Sequence, residues 1–251
     1  VTVMAGTPYS SVHEVDALSD DALRDLFAYR DGVSGPWLRA NFISSIDGAV
    51  TFDGSGRKLG TPTDRRVFAR LREVADVVLV GATTAAAKPY ADMALTPDAR
   101  AWRLSHKLGA DLPVAVVSSR GVIPQQLLEN SSAPPIVLVS ADAGVRCRRA
   151  LARSGAVVVE LAGVPIRPAA IRQALAAVGL NRVLVEGGPT LFSQLVSHDA
   201  IDELCLTTSP RMVAGPARRI ATSDQHAEVH MERKRVLLGG DGTVIVQWVR
   251  T

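Results

Sequence analysis

Cysteine is scarce in this chain of 251 residues: Cys147 and Cys205 are the only two, far apart and in no metal-ligand spacing. That argues against a disulfide framework and against any metal site, and it favours a reducing, cytoplasmic setting. An excess of charge of one sign is lacking too. The 28 Lys and Arg against 25 Asp and Glu leave a formal net charge of +3, scattered rather than massed. No nucleic-acid partner is expected, although a mildly basic surface suits a polyanionic dinucleotide. Long apolar runs are missing as well. The longest, around Val74 to Ala87, is broken by Asp76, so no membrane partner is expected. Val1 to Ser10 has no basic patch leading into an apolar core, and no signal peptide is expected. No repeat, low-complexity tract or linker divides the sequence.

What is present alternates between strand and helix. Residues 1–36 read as an N-terminal arm and one helix, with Ser19 as N-cap, an apolar stripe through Leu23 and Phe27, and an end at Gly32 to Pro36. Residues 37–251 read as a single domain. Trp37 to Thr51 is expected as one long strand with a bulge near Ser44-Ser45. Thr63 is expected to cap a helix through Arg72. Buried strands follow at Val77 to Val80, Val114 to Val117, Ile136 to Val139, Ala156 to Glu160 and Val183 to Val185, with helices at Thr96 to Leu108, Val145 to Arg153, Pro168 to Val178 and 189–197. A strand at Ile201 to Thr208 precedes a hairpin, Met231 to Leu238 and Thr243 to Arg250, around Gly239 to Gly242. The fold class is therefore α/β: a mainly parallel central sheet with helices on both faces and a C-terminal antiparallel hairpin at its edge.

The organising stretch is Arg182 to Phe192, RVLVEGGPTLF. A strand breaks at Gly187 and Gly188, and Pro189 stands where the first turn of a helix begins, a position that needs no N–H. Such a turn exposes amides and the positive end of a helix dipole, which suits a phosphate; it is equally the form of an ordinary strand-to-helix turn. Three other strand ends carry groups of use to a ligand: Ser44 to Asp47, Gly81 to Thr84, and Ser118 to Arg120, where two hydroxyls and a guanidinium suit a terminal phosphate or a solvated turn. In open α/β sheets ligands lie across the carboxyl ends of strands, and four such ends together point to a dinucleotide site.

These residues match a family. Asn41 with Ser45-Ile46-Asp47-Gly48, Leu71-Arg72 with Asp76 and Val80 to Thr84, Val185 to Thr190, and Asp202-Glu203-Leu204 through Ser209-Pro210 resemble the reductase domain of the riboflavin-biosynthesis deaminase/reductases, whose fold is similar to that of dihydrofolate reductase. The resemblance implies an NADP cofactor along Gly187, Gly188, Pro189, Thr190, Leu191 and Phe192, with Ser44 and Thr84 touching it, Ser119 near its adenosine end and Arg120 at its 2′-phosphate. It implies a small heterocyclic substrate facing Asn41, Arg72 and Glu186; Tyr90 and Met93, read from their own chemistry, offer an aromatic, soft wall to a flat ring or simple packing. It also implies a homodimer. Asp47 and Glu186 are the acidic groups expected at the reacting end as candidate proton sources; Glu186 reads equally as an anchor for exocyclic amines. The implied reaction is hydride transfer from NADPH to a phosphoribosylated aminopyrimidine, 5-amino-6-(5-phosphoribosylamino)uracil. The alternatives are a dihydrofolate or pteridine reductase and a noncatalytic NADP-binding protein. Two segments depart from the family pattern, Lys88 to Thr96 and Arg57-Lys58-Leu59, and both bear on the sugar phosphate. The deaminase half's zinc signature, His-x-Glu followed by Pro-Cys-x-x-Cys, is not met: the sequence holds no Pro-Cys-x-x-Cys.

Overall fold

The computed structural model describes residues 11–30, 32, 35–87, 90, 93–129 and 133–251; the expected arm at Val1 to Ser10 and the residues Lys88, Pro89, Ala91 and Asp92 lie outside them. Ten strands form one sheet: β1 (Ser11–Glu14), β2 (Trp37–Ser44), β3 (Val77–Gly81), β4 (Val114–Ser118), β5 (Ile136–Ser140), β6 (Val157–Leu161), β7 (Arg182–Val185), β8 (Glu203–Thr208), β9 (Met231–Leu238) and β10 (Val244–Arg250). Their spatial order is β1-β9-β10-β8-β2-β7-β3-β4-β5-β6. From β8 to β6 every neighbouring pair is parallel. β10 runs antiparallel to both β8 and β9. The hairpin is expected to form the edge, but β1 pairs parallel with β9 and covers it.

The helices are α1 (Asp20–Leu26), α2 (Pro62–Glu73), α3 (Ala82–Ala87), α4 (Pro97–Ser105), α5 (Gln125–Glu129), α6 (Val145–Arg153), α7 (Pro168–Ala177) and α8 (Pro189–Val196). Four of them, α2, α4, α7 and α8, start with proline at the first position, where its fixed φ is already helical. Hydroxyls close the preceding caps: Ser19 accepts from the Ala22 amide at 3.1 Å, Thr61 from Asp64 at 3.0 Å and Thr96 from Ala99 at 3.2 Å. Thr61 rather than Thr63 therefore caps α2, because Pro62 takes the first helical place. No helix among the described residues is long and apolar enough to cross a membrane.

Alternation along the strands divides the core between two faces. Val78, Val80, Val116 and Leu184 pack with Leu23, Val67 and Leu71 on the α2 face, while Val77, Leu79, Val183 and Val185 pack with Ile171, Leu175, Leu191 and Leu195 on the α8 face. Strands buried on both sides read as unbroken apolar runs, which is why β3, β4 and β5 are legible. β2 is shorter than its sequence suggests. At Ser45 the chain leaves the sheet: its amide donates to the Ala49 carbonyl at 2.9 Å, its hydroxyl accepts from the Ala49 amide at 2.9 Å, and Gly48 takes a φ of +87°. Residues 45–49 are a closed turn instead of a bulge.

Candidate active site

The four strand ends singled out by sequence are consecutive in space, in the order β2, β7, β3, β4. After β7 the chain turns through α8 toward β8, whereas after β3 it goes the opposite way to β4. Between β7 and β3 the crossovers part, and a crevice opens at the carboxyl edge. Backbone closes its floor: the Glu186 amide donates to the Leu79 carbonyl at 3.1 Å and the Gly81 amide to the Gly187 carbonyl at 2.8 Å. The two glycines are required here. Gly187 has a φ of +94°, and a Cβ on it would lie 3.1 Å from Phe42 Cε1; a Cβ on Gly188 would collide with Thr84 Oγ1. The Gly187–Gly188 peptide is cis. Gly188 gives α8 no side-chain cap, and Thr190 in its first turn is exposed, so the amino end of α8 opens on the crevice. Thr84 belongs to α3, not to an extended strand end; its run of Ala and Thr continues the chain from β3 directly as helix.

On the α2 face the crevice is polar. Arg72 grips Glu186 with both arms, Nε to Oε1 at 2.7 Å and Nη2 to Oε2 at 2.8 Å. The carboxylate side chain is 3% exposed and the guanidinium 22%. Burial works to lower the Arg72 pKa, and the Glu186 carboxylate outweighs it, for a net rise. The guanidinium also lies over the Phe68 ring at 4.2 Å and the Tyr90 ring at 6.0 Å. Tyr90 is buried in the α2-face core, and its hydroxyl makes no hydrogen bond among the described residues. Burial, then the Glu186 charge, push its pKa up, so it stays a neutral phenol. Asn41, half-buried, pairs with Cys205 in β8, and Cys205 is in the α2-face core. Asn41 and Ile43 therefore look onto this face.

Other expected residues lie elsewhere. Ser44 has the opposite parity to Asn41 and lines a cavity of about 330 Å3 on the α8 face with Leu206, Arg219 and Ile220. Ser119 and the exposed Arg120 stand at the end of β4, two strands from β7. Asp47 is exposed in the turn after β2. Its carboxylate accepts from the Ser45 hydroxyl at 2.5 Å and from the amides of Val213 at 3.1 Å and Ala214 at 2.7 Å. The Ser45 hydroxyl, then the Ala214 and Val213 amides, lower its pKa to about 2. At neutral pH it is an anion that clips the β2 turn to the segment after β8. Asp47→Ala should speed hydrogen exchange at the Val213 and Ala214 amides about tenfold or more; unchanged protection would mean that the clip is not made.

Two groups escape the sequence reading. A cavity of about 450 Å3 lies between α8 and residues 216–227, with Ser193, Arg218, Arg219 and His226 on its walls; no motif marks that segment. Asp64, in the first turn of α2, lies one and two turns before Phe68 and Arg72 on one stripe of the helix, and its amide donates to the Thr61 cap at 3.0 Å. Burial pushes its pKa up, against the hydrogen bond from Thr207 and the charge of Arg65. Extending the stripe back from Arg72 is the signal that finds it.

Fold and crevice together define the class, an α/β protein with a ligand cleft at the carboxyl edge of a mainly parallel sheet. Residues 36–245 match the model of the RibD C-terminal domain, and the chain belongs to that family. It is 28% identical over 226 residues, 86% of this chain and 99% of the other, to the 2,5-diamino-6-ribosylamino-4(3H)-pyrimidinone 5′-phosphate reductase of Methanothermobacter thermautotrophicus. The protein of the same description from Archaeoglobus fulgidus is 28% identical over 185 residues, 72% of this chain and 83% of that one. In fold, a pyrimidine reductase-like protein from Corynebacterium diphtheriae superposes with a TM-score of 0.75 at 22% identity, over 86% of this chain and 92% of the other.

Proposed function

We propose that this chain is an NADPH-dependent reductase acting on a 5-amino-6-ribosylaminopyrimidine 5′-phosphate in riboflavin synthesis. The observation that carries the reading is the buried Arg72–Glu186 pair beside the glycine-lined, uncapped start of α8. The residues fit a dinucleotide: Gly187 to Phe192 leave space for a pyrophosphate against the helix dipole, Thr84 faces the same gap, and Ser119 and Arg120 reach the 2′-phosphate end. Arg120 is exposed and makes no ion pair among the described residues, which leaves its guanidinium to a phosphate. NADPH, when bound, supplies the hydride. The chain's own part is to bind, orient and protonate the substrate. Asn41, Tyr90 and the Arg72–Glu186 pair form the substrate side. Arg72 Nη1 makes no hydrogen bond among the described residues and is left for an anionic or carbonyl oxygen of the ligand.

The relatives described as reductases of the 2,5-diamino pyrimidinone bring that compound beside the aminouracil implied by sequence. The two differ at one ring position, amine against carbonyl. The test follows loss of dihydronicotinamide absorbance with each of them and with dihydrofolate. Oxidation of NADPH with either pyrimidine phosphate is the expected result. Turnover of dihydrofolate alone would overturn the reading.

A further inference from the structure

Residues 209–230, between β8 and β9, hold neither helix nor strand, and an irregular stretch of that length in a compact domain usually either binds something or has no fixed position. This one is fixed. The Ile46 amide donates to the Arg211 carbonyl at 2.8 Å and the Val50 amide to the Arg218 carbonyl at 3.1 Å. Asp47 takes the amides of Val213 and Ala214, and Ile220 and Ala221 pack on the α8-face core. The cavity of about 450 Å3 between this stretch and α8 is therefore held in shape, and its size falls in the range of small-molecule sites, about 300–1,000 Å3.

Its walls are sorted by charge. Arg218 and Arg219 line it, and neither guanidinium has an ion pair or hydrogen bond among the described residues. His226 adds an imidazole. Asp224 and Glu228 belong to the same stretch, yet no carboxylate stands on the wall. From the helix side come Ser193 and Val196, three residues apart and so on one face of α8. Ser193 is 7% exposed, and its hydroxyl is buried without a hydrogen-bond partner among the described residues. A buried polar group left single is uncommon and costs free energy until something meets it.

We propose that this cavity binds a small organic phosphate, with the phosphate on Arg218 and Arg219 and the organic body between Val196 and Ala221, within reach of the Ser193 hydroxyl. Guanidinium forks match phosphate oxygens in charge and in geometry. A neutral ligand would leave both arginines unmatched. Inorganic phosphate would satisfy them but leave the apolar wall and most of the volume empty. The site is separate from the crevice, because none of Asn41, Arg72, Thr84, Glu186, Gly187 and Gly188 lines it. The inference therefore stands or falls without the reductase reading.

The test is NMR on the nitrogen-15-labelled full chain, titrated separately with ribose 5-phosphate, inorganic phosphate and ribose at constant ionic strength. Ribose 5-phosphate should shift the amides of Ser193, Ala221 and Gln225 saturably, with a lower Kd than inorganic phosphate, and ribose should leave them in place. The amides of Gly81 and Gly187 report the crevice separately. Arg218→Gln with Arg219→Gln should weaken binding read at Ser193 by at least about tenfold; both side chains are exposed, so the variant is expected to fold. Ser193→Ala should weaken it by about threefold or more. Ribose 5-phosphate shifts confined to Gly81 and Gly187 would overturn the proposal. Wild-type affinity in the folded double arginine variant would overturn it too, since the guanidiniums would then be only a solvated surface. An equal Kd for inorganic phosphate and ribose 5-phosphate would reduce the site to an adventitious anion contact and overturn it as well.

Discussion

Glu203→Ala should lower the melting temperature by about 6–20 °C, the largest loss of stability expected from a single truncation in this chain. The cause is what the substitution leaves behind. Arg39 and Glu203 have side chains 1% and 2% exposed. Glu203 takes Arg39 Nε at 2.6 Å, Arg39 Nη2 at 3.2 Å and Trp37 Nε1 at 3.1 Å, together with Gln247 Nε2. Once the carboxylate is gone, Arg39 keeps the Phe27 carbonyl at 2.6 Å and the faces of Tyr29 at 4.1 Å and Phe27 at 5.9 Å, none of them an anion. A buried guanidinium without its partner costs about 3–5 kcal/mol, a large part of the roughly 5–15 kcal/mol that holds a domain folded. Arg39→Met with Glu203→Leu should recover much of the loss, because the apolar pair has no charge to desolvate. The effect also depends on pH. Burial works against the Glu203 charge, but Arg39 and Gln247 outweigh it and hold its pKa below the ordinary 4.5. Its stabilisation is then present above pH 4.5 and lost as pH falls through the lowered value, so variant and wild type should converge in acid. Thermal melts at neutral pH and below pH 4 decide it; equal melting at neutral pH would mean that the pair contributes nothing net.

Local chemistry made most of the fold legible in the sequence. Val77 to Val80, Val114 to Val117 and Ile136 to Val139 are short apolar runs that cannot alternate because both their faces are covered, and Pro168 and Pro189 announce helix starts that the backbone uses. Gly187 and Gly188 were readable for the same reason, since a chain that must pass Phe42 and Thr84 so closely admits no side chain. Features made by partners distant in sequence were not. Ser11 to Glu14 has no apolar alternation and becomes a strand only because β9 offers an open edge. Ser44 and Asn41 look alike in a motif, yet an odd number of residues separates their faces. Asp47 reads as a site acid, and nothing local to it announces the Val213 and Ala214 amides it accepts from.

Gly188→Asp should weaken NADPH binding by at least about a hundredfold while leaving a folded protein, and it tests the cofactor side of the crevice most directly. Two effects act together. A Cβ at this position collides with Thr84 Oγ1, so α8 and α3 must move apart at the place proposed for the pyrophosphate. The new carboxylate would also sit at the α8 amino end, where it competes for the same amides and repels phosphate. At about 4 Å and an effective dielectric near 20 that repulsion is about 4 kcal/mol, and every 1.4 kcal/mol is roughly tenfold in affinity. The helix itself tolerates the charge, since an acidic group at its amino end is favourable. Two further variants separate the causes. Gly188→Ala adds the collision without the charge, and Thr84→Ala beside it removes the collision. If the steric term dominates, the Gly188→Ala, Thr84→Ala double variant should regain most of the affinity lost by Gly188→Ala. If the methyl group itself occupies ligand space, the double variant should bind as weakly as the single. Calorimetric titration with NADPH reads all three, and a folded Gly188→Asp protein with wild-type affinity would place the cofactor somewhere other than the gap between β7 and β3.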